Sequence, residues 1–279
     1  MFRTRFAPSP TGPLHLGHAY SAILAHDMAR DAGGEFLLRV DDLDQSRARP
    51  HWEEQIYDDL AWLGLTWDGP VRRQSEHFAE YEAALQRLRD KGLTFECQCT
   101  RRDIEAAANA PQEGAPEFGP DGRIYTGTCR KLALEPSATT CTRLNIARAA
   151  ETTGPLNFNE TGLLHTGTHT VSAPDLASTV GDVVLSRRQM AASYHLSVVI
   201  DDIATDITHV IRGADLFEAT RIHVLLQALL GLPTPTYHHH DLIRDDAGKR
   251  LAKRDDARAI AKYRSEGATP EDIRAMVGL

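Results

Sequence analysis

The sequence predicts an α/β fold whose parallel sheet is interrupted by an inserted segment, and three observations predict it. The opening residues up to Val40 read as strand, loop, helix and strand, the unit from which parallel sheets are built. Periodic patterning fades between Glu96 and Thr170, where Cys, Gly, Pro, Thr and Ala take over. Apolar runs suited to a sheet and its covering helix return from Tyr194 onward.

Arg5-Phe6-Ala7 opens as a short strand, and Pro8, Pro10, Gly12 and Pro13 forbid regular structure before Leu14. From Leu16 onward Tyr20, Ile23, Leu24 and Met28 recur at helical spacing until Gly33-Gly34 supplies a stop. Phe36–Val40 reads as a buried strand that runs into the acidic turn Asp41-Asp42-Leu43-Asp44. Two amphipathic helices follow, one through Trp52, Ile56, Leu60 and Leu63, the other through Phe78, Tyr81, Leu85 and Leu88 up to Gly92. Asn109–Gly122 reads as a surface loop. Strands are expected over Tyr194–Ile200 and Ile207–Arg212, then a helix through Leu216, Ile222, Leu225, Leu226 and Leu229, stopped by Gly231 and Pro233. A basic loop, Asp245–Arg254, leads to a helical tail ending at Leu279. The expected division is a first half-domain over 1–96, an insertion over 97–170, a second half-domain over 171–244, and the loop and tail over 245–279.

A chain of 279 residues, 42% of them hydrophobic, buries a real core, in one large domain with an insertion or in two modest ones. The apolar piece after Arg3 is broken by Pro8 and Pro10, unlike a signal peptide, and no apolar run approaches the roughly 20 residues of a membrane span. A cytoplasmic, membrane-free monomer is therefore expected. Four cysteines, Cys97, Cys99, Cys129 and Cys141, suit reduced thiols or metal ligands better than a secreted disulfide framework. The net charge of −8 argues against nonspecific coating of nucleic acid. Arg72-Arg73, Arg101-Arg102, Arg130-Lys131, Arg187-Arg188 and Lys249–Arg254 nevertheless leave local basic patches.

The stretch Arg5–His18, RFAPSPTGPLHLGH, places a strand end before a helix N-terminus, where free backbone N–H groups and the helix dipole attract an anion such as phosphate. His15 and His18 stand three apart, and Gly17 between them lets a flat ring approach the backbone, a geometry suited to a nucleotide. Two such histidines with no nearby third ligand make a poor zinc site. Taken alone, such a pair more often serves as a helix cap and a packed ring.

RFAPSPTGPLHLGH, followed by GGEFLLRVDDLD, resembles the opening of the glutamyl-tRNA synthetases and their relatives, class I aminoacyl-tRNA synthetases. The resemblance continues through THVIRGADL (Thr208–Leu216) and KRLAKR (Lys249–Arg254), in the same order. It implies a Rossmann-like parallel-sheet catalytic domain split by a zinc-binding insertion, with a short helical C-terminal segment. It implies further that His15, Gly17, His18 and Lys253 bind ATP with its Mg2+, with His15, His18 and Lys253 as the catalytic groups. Ala252 departs from the family, which has serine there. Glutamate would be bound by Arg5, by the backbone of Phe6, Ala7, Pro8 and Ser9, and by Asp41, Tyr194 and Arg212. Activation is attack of a carboxylate on an α-phosphate, so the protein must align two anions, and arginine's planar fork suits a carboxylate. Asp41 replaces the family's usual glutamate and has a shorter reach. Without the resemblance, Asp41 and Asp44 read as turn residues and Tyr194 as a strand core residue.

Cys97-Gln98-Cys99 and the later Cys129 bring three thiols into one region, and one more ligand would complete a tetrahedral zinc site. Cys141 or a histidine is open as the fourth on spacing alone. The segment resembles the zinc site of the shortened, queuosine-directed branch of the family, which implies Cys97, Cys99, Tyr125 and Cys129 around one structural Zn2+ per chain. Only Asp255–Leu279 follows the basic loop, too little for the anticodon-reading helical domain of a full glutamyl-tRNA synthetase. That branch implies ATP-dependent transfer of L-glutamate to queuosine in tRNA(Asp). The other readings are a truncated synthetase charging a tRNA 3′ end, and a tRNA or nucleotide binder without catalysis.

Overall fold

A computed structural model describes residues 1–108, 118–125, 127–188, 190–243 and 258–279. Lys253 and the rest of the expected loop Asp245–Arg254 lie outside the described residues, as does the stretch 109–117. The first unit runs β1 (Arg3–Phe6), α1 (Leu16–Asp31), β2 (Glu35–Val40), α2 (Pro50–Trp62), β3 (Arg72–Arg73) and α3 (Phe78–Asp90). Helix α1 buries Ala19, Ala22, Ile23, Ala25 and Ala29, and this small-residue face lets it pack closely. The middle of the chain gives β4 (Thr94–Cys97), α4 (Arg101–Ala108), β5 (Phe118–Gly119), β6 (Gly122–Arg123), β7 (Cys141–Leu144), α5 (Ile146–Thr153), β8 (Leu156–Glu160), β9 (Gly167–Val171), α6 (Ala173–Thr179) and β10 (Val184–Ser186). Then come α7 (Tyr194–Ala204), β11 (His209–Gly213), α8 (Thr220–Leu230), β12 (Thr236–His240), α9 (Ile260–Ser265) and α10 (Pro270–Val277).

Strands β3, β2 and β1 pair in parallel, as do β11, β12 and β8, with β9 antiparallel on the outside. The Thr208 N–H donates to the Arg3 carbonyl at 3.0 Å and the Arg3 N–H to Thr208 Oγ1 at 2.9 Å, which sets β1 beside β11. Reading across, the order is β3-β2-β1-β11-β12-β8, the doubly wound arrangement in which ligands sit beyond the carboxyl ends of the strands where the order reverses. That point lies between Phe6 at the end of β1 and Gly213 at the end of β11.

Two expectations change. Tyr194–Ile200, expected as a strand, is the start of helix α7, with the Ser193 side chain capping the Leu196 N–H. Most of α7 is buried, including Leu196, Val198, Val199 and Ile200, so its apolar residues run without a visible period. The end of the expected loop Asn109–Gly122 runs into the β5–β6 hairpin formed by residues 118–123. The middle of the chain carries its own antiparallel sheet, β10-β7-β4. β8 and most of β9 fall within the stretch 97–170 and pair with the sheet of β11 and β12. Finally, Ile260 and Ile273 are buried in the core cluster of α1, and Arg274 pairs with Asp27 of α1 at 2.6 Å, so the C-terminal helices brace its outer side.

Candidate active site

His15 caps α1 from an extended conformation: its Nδ1 accepts the Gly17 N–H at 3.1 Å, while His18 Nδ1 accepts the His15 N–H at 3.1 Å. The two rings lie 3.9 Å apart, centre to centre. With both Nδ1 atoms accepting, the proton of each neutral ring is assigned to Nε2. A Cβ on Gly17 would come within 3.0 Å of the His15 ring, so the glycine is what lets that imidazole lie over the helix start. Both flanks of the segment carrying Lys253 are close by. His240, at the end of β12, meets Ser21 of α1 at 2.7 Å, and the chain resumes with Ala259 bridged to His15 and the Ile260 N–H bonded to the Leu14 carbonyl at 2.9 Å.

Arg5, on β1, and Arg212, on β11, stand at the carboxyl end of the sheet on either side of the point where the order reverses. Arg5 is buried and grips Asp202 of α7 with two hydrogen bonds, 2.8 and 3.2 Å. Asp202 also accepts from Arg39 Nη1 at 2.6 Å, and Arg39 Nε donates to Asp41 at 2.6 Å. Burial works against the charge on Asp202, but Arg5 and Arg39 hold its carboxyl below the ordinary range. Asp41 differs: burial pushes it up to about 6 even though Arg39 pulls it down. Its N–H donates to the Pro8 carbonyl at 3.0 Å, which brings Asp41 beside the Phe6–Ser9 backbone. Neighbouring Asp201 is fully buried and accepts from Arg72, Gln74 and Tyr81 at 2.7 to 2.8 Å, locking α7 to β3 and α3.

Arg212 is buried among histidines: Nε donates to His239 at 3.0 Å and Nη1 to His223 at 3.0 Å. The parallel register sets Arg212 directly opposite His239. Tyr194 is the first residue of α7 and 39% exposed, not a strand core residue, and its ring lies 5.8 Å from that of His223. Tyr194 thereby stands at the surface beside the histidines that flank Arg212. Sequence reading passed over Arg39, Asp202, His223, His239 and Glu160. The only local signal was their polarity within otherwise apolar elements.

The thiols of Cys97, Cys99 and Cys129 offer ligand atoms within 4.8 Å of one another. The Tyr125 hydroxyl lies 3.4 Å from Cys97 Sγ and 3.5 Å from Cys99 Sγ, and accepts the Cys129 N–H at 2.8 Å. A hydrogen bond from Cys141, its cross-strand neighbour, pulls Cys97 down to about 3 against the opposing effect of burial. Three soft thiols and one phenol converging on a point fit a tetrahedral zinc ion. His15 and His18 stay apart from this cluster, as helix cap and first-turn pair.

The whole chain, residues 1–279, matches the family described as tRNA synthetases class I (E and Q), catalytic domain. A glutamyl-Q tRNA(Asp) synthetase of Rhodobacter capsulatus is 63% identical over 280 residues, covering 99% of each chain. Another, from Nocardia farcinica, is 42% identical over 98% of this chain and 82% of its own. Among solved structures, a glutamate tRNA ligase from Elizabethkingia meningosepticum in complex with its amino acid superposes on 100% of this chain with a TM-score of 0.75 at 28% identity. This chain spans 60% of the length of that ligase.

Proposed function

This chain belongs to the class I tRNA synthetases of the E and Q type, and we propose that it activates L-glutamate with ATP and transfers it to queuosine in tRNA(Asp). Membership of that family makes it a ligase that uses ATP, glutamate and tRNA of the glutamyl type. The observation that supports the glutamate part of this reading is the placement of Arg5 and Arg212 on either side of the reversal of strand order, near the His15–His18 turn, while the queuosine part rests on the names of the relatives. Two fixed cations in a water-poor pocket suit the side-chain carboxylate of glutamate. Asp41 and the Phe6–Ser9 backbone supply acceptors for its ammonium group. The α-carboxylate is left to attack the α-phosphate of ATP, which His15, Gly17 and His18 hold at the start of α1. Lys253, outside the described residues, is assigned to disperse phosphate charge as pyrophosphate leaves.

In the second half-reaction the acceptor group on queuosine attacks the adenylate carbonyl and AMP departs. No protein nucleophile is required, because the adenylate is already activated. Zinc held by Cys97, Cys99, Tyr125 and Cys129 would be structural, since a closed four-ligand set leaves no position for substrate. We assign the enzyme to the cytoplasm and read the middle of the chain, nominally 97–170, as the part that meets the tRNA.

Two assays test the reading. Glutamate-dependent exchange of pyrophosphate into ATP is expected, and its absence would leave only a binder. Labelled glutamate is expected to pass to tRNA(Asp) that carries queuosine and not to the same tRNA lacking it. Charging of unmodified tRNA(Glu) at its 3′ end would replace this reading with that of a shortened glutamyl-tRNA synthetase.

A further inference from the structure

Arg212 has no carboxylate partner among the described residues; each of its hydrogen bonds goes to a neutral acceptor. Nε donates to His239 Nε2 at 3.0 Å, Nη1 to His223 Nδ1 at 3.0 Å, and Nη2 to Thr220 Oγ1 at 2.8 Å and to the Leu216 carbonyl at 3.3 Å. Both imidazoles are held in turn from behind. His239 Nδ1 lies 2.5 Å from Glu160 Oε2, while Glu160 Oε1 accepts the backbone N–H groups of His239 and Gly162. A Cβ on Gly162 would lie 2.1 Å from the His239 carbonyl, so the bare glycine lets this turn close onto β12. On the other side His223 Nε2 is 3.1 Å from His195 Nδ1, and His195 Nε2 is 3.2 Å from Asp121 in the turn of the β5–β6 hairpin.

Hydrogen-bonding logic assigns the protons along this chain. A guanidinium only donates, so each ring nitrogen facing Arg212 presents a lone pair. His239 then carries its proton on Nδ1 and gives it to Glu160. His223 carries its proton on Nε2 and gives it to His195, whose own Nε2–H points to Asp121. One set of tautomers satisfies every contact with three neutral rings. Burial first, then the charge of Arg212 and the neighbouring His195, keep His223 well below its ordinary pKa, which agrees with a neutral ring. Burial likewise disfavours the charge on Glu160, but His239 and the two backbone N–H groups hold it down to about 2, so it accepts as a carboxylate.

We propose that His223 and His239 are positioning residues that present Arg212 through neutral acceptors and keep its charge for the side-chain carboxylate of the substrate, and that Asp121, acting through His195, sets the tautomer of His223. One Nη1 hydrogen of Arg212 has no partner among the described residues and completes the contact. Arg5 is the contrast: its charge is matched directly by Asp202. Arg212 is thus the group that separates a carboxylate from a carboxamide of the same shape, glutamate from glutamine. The proposal rests on the reading of Arg212 as a substrate-carboxylate residue.

The test uses the full chain and glutamate-dependent pyrophosphate exchange, with Arg212→Ala, His223→Gln, His223→Glu and Asp121→Ala. Gln and Glu have the same shape, and the Gln oxygen accepts from Arg212 without cancelling its charge. His223→Gln is expected to keep the KM for glutamate within about threefold, whereas His223→Glu raises it about ten- to a hundredfold, the factor expected when a contact to a charged group is lost. The preference for glutamate over glutamine should fall with His223→Glu only, and the KM for ATP should stay constant in both. Asp121→Ala, at an exposed hairpin site, should raise the KM for glutamate severalfold with kcat unchanged. If His223→Gln and His223→Glu behave alike, or Asp121→Ala leaves the KM unchanged, the proposal is overturned. If Arg212→Ala itself leaves the KM unchanged, the underlying assignment of Arg212 fails and the proposal falls with it.

Discussion

Arg5 and Arg212 are both buried arginines at the end of a strand, yet their surroundings give them different work. Asp202 fixes the fork of Arg5, and Arg39 stays on Asp202 when Arg5 is removed. Arg5→Ala should therefore fold, with circular dichroism like the wild type, while glutamate activation drops by about a hundredfold or more. Lys253→Ala should slow activation and leave the KM for glutamate nearly unchanged, the pattern of a group that acts on the transition state. Asp41 gives a pH signature. Burial raises its carboxyl to about 6, so the charge proposed to meet the substrate ammonium is present above that pH and lost as pH falls through it. The kcat/KM for glutamate should decline below about pH 6, and Asp41→Asn should be low throughout and nearly flat across that window.

At the scale of elements, the strand-helix-strand opening was legible because its punctuation is local: Pro8 and Pro10 end one element and Gly33-Gly34 another. α7 was not legible as a helix. Its residues face protein on nearly every side, which erases the helical period, and Val198, Val199 and Ile200 favour a strand by propensity. The overlooked signal was Ser193, an N-cap residue directly before the apolar run. The residues around Arg212 were hidden for another reason: Glu160, His195, His223 and His239 come from four separate elements, and only the sheet order brings them together. By contrast Cys97, Cys99 and Cys129 lie close in the chain and converge as their spacing suggested, and Tyr125, which only the resemblance pointed to, lies against two of them. A chelator, by stripping the zinc proposed for this cluster, should loosen the β5–β6 hairpin, seen as faster amide exchange there. Through Asp121 it should also raise the KM for glutamate severalfold while kcat holds.

On the scale of the whole molecule, the acidic average conceals a basic cleft of about 610 Å³ between the cysteine cluster and the β7–β10 edge. Five arginines, Arg101, Arg123, Arg143, Arg187 and Arg188, line it, with the exposed Phe118 ring under the Arg123 guanidinium. Cations beside an exposed aromatic ring suit a single-stranded nucleic acid. The double variant Arg101→Glu, Arg187→Glu should weaken transfer to tRNA and flatten its salt dependence while leaving pyrophosphate exchange intact. No described helix is long and apolar enough to cross a membrane.

The seam between β1 and β11 also bears on how the chain is made. Arg3 and Thr208, which join those strands, are 205 residues apart. On a ribosome adding about 5–20 residues per second, roughly ten to forty seconds separate their synthesis. Through that interval β1 keeps one edge unpaired and Arg5 has no Asp202 to hold. The amino-acid site proposed at this seam is therefore among the last features to form during biogenesis.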